Sequence, residues 1–217
     1  MNDPDSPSTP VAPVALACAG GHDHEELARA ELYGLLSRLW HAPPDAALLQ
    51  QFAVAVTQAP ESGSFLEAPW QALVDALRHT DEAAAAERFD ALFGGVGKPE
   101  VFAYGSYYQA GFLNEKPLAE LRQTLAGLGL ARGVADGSTE DHIAFGFEVM
   151  RWLIAGDDGA TCHLENQRRF FRQHLQPWVE ACCDAVAAHP QAGWLRELAD
   201  LTRAFVQVEA QAFDMVE

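Results

Sequence analysis

The chain has 217 residues, of which 49% are hydrophobic, and a formal net charge of −17 at pH 7. This length allows one domain with a sizeable core, and no apolar run approaches the roughly 20 residues that span a bilayer. The charge argues against nucleic acid and anionic lipid as partners, because both are bound through Lys and Arg. We therefore expect a protein without membrane insertion whose acidic field attracts cationic partners.

Apolar residues recur along most of the chain with the period of an amphipathic helix. The pattern predicts a first helix over about residues 23–41, which Pro43-Pro44 ends, and a fourth from about Asp81 to the glycines at Gly94 and Gly95. The pattern predicts two more helices between the first and the fourth. The apolar stripes of the second, third and fourth helices are Leu48, Leu49, Phe52, Ala53 and Val56; Trp70, Leu73, Val74 and Leu77; and Phe89, Leu92 and Phe93.

The second half of the chain has the same helical period except over about residues 94–116, an irregular segment rich in aromatic residues. Segments of this length are usually functional loops. Pro117 suits the first turn of the next helix, and Ser138 is the predicted N-cap of the one after it. Pro177 should kink or divide the long helix that follows. A last helix carries Trp194, Leu195, Leu198, Leu201, Phe205 and Val208.

These patterns predict an all-α fold, a single globular helical bundle. We expect residues 1–21 to form a disordered tail and residues 22–217 to form the helical domain. A secretion signal is the alternative for the tail, but prolines interrupt it and no basic residue precedes its apolar part. The four cysteines include no CxxC pair, which favours reduced thiols in a cytoplasmic protein.

Two short motifs carry the functional information. The first is Tyr104-Gly105-Ser106-Tyr107-Tyr108, in the irregular segment, and the second is Ser138-Thr139-Glu140-Asp141-His142, at the predicted start of a helix. The positive end of a helix dipole favours an anionic Asp141 and places the imidazole of His142 beside it. Capping by Asp141 and a buried, hydrogen-bonded His142 are the structural alternatives.

No complete catalytic constellation accompanies these motifs. A small helical hydrolase or metal enzyme centred on Ser106, Asp141 and His142 is the alternative hypothesis, but the chain has no nucleophile elbow. It also has no GxxxxGK[ST] motif, which leaves a nucleotide-responsive role without support. We therefore expect no catalytic residues, no metal and no cofactor.

The motifs together resemble the TorD/DmsD family of redox-enzyme maturation chaperones, which are all-helical cytoplasmic proteins. The resemblance rests on Phe89-Asp90-Ala91-Leu92-Phe93-Gly94, then the Tyr104–Tyr108 motif, then Glu140-Asp141-His142 followed by Phe147-x-x-Met150, and it extends over about Tyr33 to Phe213. The Glu-Pro that the family places ahead of x-Asp-His is Ser138-Thr139 here. This departure leaves the geometry of the loop open.

The resemblance implies a chaperone, not an enzyme, that binds the twin-arginine leader and the body of a molybdopterin oxidoreductase precursor before export. Such a leader pairs two arginines with an apolar stretch, so its receptor needs carboxylates, from Asp141 with Glu140 or Asp136, beside an apolar groove. The client and the oligomeric state, monomer or helix-exchanged dimer, stay open. The residues that the resemblance implies for leader binding are Tyr33, Phe89, Leu92, Phe93, Tyr104, Ser106, Asp141 and His142.

Overall fold

A computed structural model describes residues 21–54, 65–94, 98–131 and 138–215. These ranges contain ten α-helices and no strand, which confirms the all-α prediction for the described part of the chain. The helices are α1 Gly21–His41, α2 Ala46–Val54, α3 Glu67–Arg78, α4 Glu82–Phe93, α5 Gly105–Ala110, α6 Lys116–Gly127, α7 Ile143–Ala155, α8 Leu164–His174, α9 Val179–Ala188 and α10 Trp194–Met215.

Local sequence determines where several of these helices begin and end. The side chain of Asp81 accepts a hydrogen bond from the N–H of Ala84 at 2.8 Å and so caps α4, which begins close to the predicted position. Pro117 lies in the first turn of α6. The long helix predicted around Pro177 is divided into α8 and α9. The predicted tail up to Gly20, the break at 60–63, and Asp136 with its loop lie outside the described residues.

Two local predictions are wrong. The segment predicted to be irregular contains the short helix α5, and the N-cap of α7 is His142 and not Ser138. The reason is tertiary pairing: the N–H of Gly105 donates to the carbonyl of Asp141 at 2.8 Å, and the N–H of Ile143 donates to the carbonyl of Ala103 at 2.9 Å. These bonds hold His142 itself in an extended conformation, after a turn at Glu140 and Asp141, so the helix begins only after it.

Helix α7 forms the centre of the core. It packs most extensively against α1. A second group of contacts joins α10 to α9 and α3. Ile143, Phe147, Met150 and Leu153 of α7 are fully buried. No helix in the described ranges is both long enough and apolar enough to cross a membrane.

The close packing of α7 against the end of α8 generates a prediction. A Cβ atom at Gly146 would lie 2.7 Å from Cδ2 of Leu175, a fully buried side chain that has little room to move. We expect Gly146→Ala to lower the free energy of unfolding by about 1–3 kcal/mol, because overpacking outweighs the helix preference of alanine. Urea unfolding followed by circular dichroism measures this change.

Gly127→Ala in α6 is the matched control, since among the described residues a Cβ built there meets nothing within 4 Å beyond its chain neighbours and the backbone of its own helix. It should leave stability unchanged or raise it by up to about 1 kcal/mol. Equal stability of the two variants would mean that the contact between Gly146 and Leu175 is not tight.

Candidate functional site

The two sequence motifs meet where the chain enters α5 and α7. Tyr104 and His142 form an isolated antiparallel bridge, flanked by the backbone hydrogen bonds from Gly105 and Ile143. We call Tyr104, Ser106, Asp141 and His142 together the Asp141 site. The structure therefore brings together four of the eight residues that the resemblance implies for leader binding.

The carboxylate of Asp141 is committed to bonds inside the protein. Its Oδ2 accepts from the backbone N–H of Ser106 at 2.9 Å and from the hydroxyl of Ser106 at 2.5 Å. Its Oδ1 accepts from the hydroxyl of Thr139 at 2.6 Å. Only 6% of Asp141 is exposed. In this arrangement Asp141 holds the start of α5 against the segment that precedes α7.

His142 and Tyr104 are the partly exposed members of the site. Nδ1 of His142 accepts the N–H of Ala144 at 3.2 Å, which caps α7 and fixes the ring. The rings of His142 and Tyr104 meet edge to face with their centroids 5.0 Å apart. Together they present an aromatic surface backed by the buried Asp141.

Ser106 is fully buried, and its hydroxyl faces Asp141 and not His142. The same oxygen accepts the N–H of Asn114 at 3.2 Å. A hydroxyl has one proton, and here it is donated to a carboxylate, so Ser106 and His142 do not form the pairing of a nucleophile with its base. Among the described residues, no three His, Cys, Asp or Glu side chains lie close enough together to hold a metal ion.

The cleft beside the Asp141 site is narrow. Its free volume is about 10 Å³, room for about one water molecule. Trp178 and His174 form one wall, and Nε1 of Trp178 donates to the carbonyl of His174 at 2.7 Å. Sequence reasoning missed both residues, because neither belongs to a motif. A long apolar segment does not fit into this cleft as it stands.

Glu140, the second carboxylate of the motif, already binds an arginine of this chain. Oε2 of Glu140 accepts from Nε and from one terminal nitrogen of Arg122, at 3.0 and 2.8 Å. The hydrogen bond to Glu140 raises the pKa of Arg122 above its ordinary value. The environment of this motif is therefore suited to a guanidinium.

The other four residues implied for leader binding lie elsewhere in the core. Phe89 and Phe93 are partly buried neighbours on α4, with ring centroids 5.0 Å apart, and Leu92 between them is fully buried. Tyr33 of α1 is fully buried against Phe205 of α10. Tyr33 and Leu92 could meet a ligand only if the packing around them opened.

Sequence reasoning also missed a buried ionic cluster between α1 and α10. Arg29 donates to both carboxylate oxygens of Glu209 at 2.9 and 2.8 Å, and the hydroxyl of Tyr33 donates to the same carboxylate at 3.0 Å. Burial alone would lower the pKa of Arg29, but the hydrogen bond and the charge of Glu209 outweigh it and raise this pKa. The sequence feature that could have indicated this cluster is Glu209, which lies between Phe205 and Phe213 on an otherwise apolar helical stripe.

Comparisons with known proteins give a consistent result. The family model described as "Nitrate reductase delta subunit" matches residues 60–184, more than half of the chain. A protein named "Chaperone protein TorD" from Vibrio cholerae serotype O1 is 27% identical over an alignment of 207 residues, and the match covers 86% of this chain and 92% of that protein. One of the same name from Aliivibrio fischeri is 23% identical over 202 residues, covering 84% and 93%.

A solved structure of a proposed redox enzyme maturation protein from Archaeoglobus fulgidus also matches. The match covers 91% of this chain and 99% of that chain, with 16% sequence identity and a TM-score of 0.48.

The bonds of Asp141 give a prediction about stability. In Asp141→Asn an amide NH₂ replaces one acceptor oxygen and meets a donor, so the free energy of unfolding should fall by about 1–3 kcal/mol. Because Ser106 is the partner, the effects of Asp141→Asn and Ser106→Ala should be non-additive by about 1 kcal/mol or more in a double-mutant cycle measured by urea unfolding.

Asp214→Asn is the control for that cycle, since Asp214 pairs with Arg172 at the surface and its side chain is 67% exposed. It should change stability by no more than about 0.5 kcal/mol. Additive effects of the Asp141 and Ser106 variants would contradict the arrangement described.

His174 should make stability depend on pH. Burial lowers the pKa of His174 from 6.5 to about 4, although the charge of Glu120 opposes this. Between these two pKa values the unfolded chain binds a proton at His174 that the folded chain does not. The contribution of His174 to the free energy of unfolding is therefore complete above pH 6.5 and is lost as the pH falls towards 4. We expect the loss to be about 2 kcal/mol, below the full value of the shift because the ring is partly exposed.

The measurement compares the urea midpoints of the wild type and His174→Gln from pH 7 to pH 4.5. The carboxylates titrate in both proteins, so the difference between the two curves isolates the histidine. Parallel curves would show that the His174 ring is not kept neutral by burial.

Proposed function

The chain belongs to the TorD-like nitrate reductase delta subunit family of redox-enzyme maturation chaperones, and from this premise we propose that it binds the twin-arginine leader of a molybdopterin oxidoreductase precursor. In this proposal it acts in the cytoplasm and keeps the precursor from export until the cofactor has been inserted. The observation that carries it is the family match over residues 60–184.

The charge of the chain supports a cationic ligand. A net charge of −17 attracts a leader whose first feature is a pair of arginines. The Glu140–Arg122 pair also supports the proposal, because it is an example within this chain of a guanidinium bound beside the Asp141 site. An arginine of the leader is expected to use similar charge-assisted hydrogen bonds.

The eight implied leader-binding residues divide into two roles in this proposal. Phe89, Phe93, Tyr104 and His142 are partly exposed and contact the leader. The buried members, Tyr33, Leu92, Ser106 and Asp141, shape the surface from below.

The hydrolase alternative has less support. It requires Ser106 as a nucleophile, but the Ser106 hydroxyl is buried and donates its proton to Asp141. A substrate would have to reach an oxygen that already accepts the N–H of Asn114. We therefore assign Ser106 a structural role.

The proposal predicts discrimination between arginine and lysine. A fluorescent synthetic leader with Arg-Arg ahead of about 12 apolar residues should bind at least about tenfold more tightly than the same peptide with Lys-Lys, because only the guanidinium offers a bidentate fork to a carboxylate. Fluorescence anisotropy of the full chain measures both affinities.

A peptide of the same composition in scrambled order is the control for non-specific attraction to an acidic protein. Equal affinities for the Arg-Arg and Lys-Lys leaders would contradict carboxylate recognition of the arginines. Absence of binding to the Arg-Arg leader would remove the proposed function itself.

A further inference from the structure

An apolar groove runs along α1 between α3 and α10, away from the narrow cleft at the Asp141 site. It consists of two adjoining cavities of about 290 and 400 Å³, both of which are lined by Ala28, Leu32 and Leu66. Trp70 of α3 closes one cavity, and Phe205 and Val208 of α10 close the other. Each volume is similar to that of pockets that hold a drug-sized ligand.

The groove has the length of a helical ligand. The ten residue steps from Glu25 to Leu35 span about 15 Å of helix α1 at 1.5 Å per step, and both of these residues line the groove. An amphipathic helix of about three turns, with anchors at i, i+3, i+4 and i+7, covers that distance. A partner helix can therefore bury one apolar face against Leu32 and Val208.

Among the residues that the structure describes, four carboxylates and one guanidinium line the groove. Glu25 and Glu31 are exposed at its edge, and Glu26 and Glu209 are bound to Arg29. Since Arg29 is held by two of these glutamates, the exposed charge that a ligand meets is negative. The complementary ligand has cationic residues at one end of an apolar stretch.

Two walls of the groove, α1 and α10, are tied to each other. The hydrogen bonds from Arg29 and Tyr33 to Glu209 tie α1 to α10 beneath it, and Nε1 of Trp40 donates to Thr202 at 3.0 Å further along the same pair of helices. A ligand that enters this groove need not order these two walls, so more of its contact energy is retained as affinity.

We infer that this groove between α1, α3 and α10 binds the apolar stretch of a cationic leader segment as a helix, with the arginines of the segment near Glu25. The inference rests on the proposed function and places the apolar part of the same ligand on a surface that the sequence motifs do not mark. The Asp141 site, with a cleft of about 10 Å³, does not accommodate that part.

The test uses the labelled Arg-Arg leader and two pairs of full-chain variants. Ala28 is exposed and lines both cavities, so Ala28→Trp should fill the groove and weaken binding at least about tenfold. Ala181→Trp places the same side chain on an exposed position of α9 and should change the affinity by less than about twofold. Circular dichroism checks that both variants are folded.

The second pair tests charge without filling the groove. Glu25→Arg should weaken binding about threefold or more, whereas Glu180→Arg, with the same change in net charge on exposed α9, should have a smaller effect. Because both residues are exposed, neither substitution disturbs the core.

Three results would overturn the inference. If the wild type and Ala28→Trp bind the leader equally, the leader binds elsewhere and the proposed function stands without this groove. If the wild type binds no leader, the proposed function fails together with the inference. If sedimentation shows a dimer that Ala28→Trp dissociates, the groove is covered by a second copy of the chain.

Discussion

The carboxylate of Asp141 accepts hydrogen bonds from the backbone and hydroxyl of Ser106 and from Thr139, and the entrances of α5 and α7 depend on these bonds. The acceptor carries a full charge and is nearly excluded from water, so each bond is stronger than a neutral one at the surface. With both oxygens engaged, the turn before α7 is held in place and His142 pairs with Tyr104 in a single antiparallel bridge. The result is a fixed aromatic surface of Tyr104 and His142 above a buried anion.

A second buried carboxylate has a corresponding role at the other side of α1. Glu209 accepts from Arg29 and Tyr33, two residues one helical turn apart, and so fixes the distance between α1 and α10. Removing one partner of such a cluster leaves a buried charge without compensation, which is why these clusters tolerate substitution poorly. The α1 and α10 walls of the apolar groove above Glu209 are therefore held at a fixed spacing. Both candidate ligand surfaces of this chain rest on a buried acid.

Much of the fold could be predicted from the sequence, because periodicity and caps are local. The stripe of α4 with Asp81 at its start, and Pro117 at the start of α6, gave correct boundaries. The start of α7 was wrong, since the bonds that delay it come from residues almost forty positions earlier. Helix α5 was missed because it has six residues and no side-chain cap. The motifs of the Asp141 site were visible, but the groove was not, because α1, α3 and α10 contribute to it from distant parts of the chain.

In the proposed capture of a leader, the acidity of the chain and its apolar groove act at different stages. A net charge of −17 raises the rate at which a cationic segment arrives, and salt screens this effect beyond about 8 Å at physiological ionic strength. Burial of an apolar face in the groove lengthens the lifetime of the complex, and salt has little effect on this apolar contribution. A leader is disordered before it binds, so part of its contact energy offsets the cost of ordering. In this proposal the preformed α1 and α10 walls leave most of the ordering cost on the leader. That cost limits the affinity, which favours later release of the client.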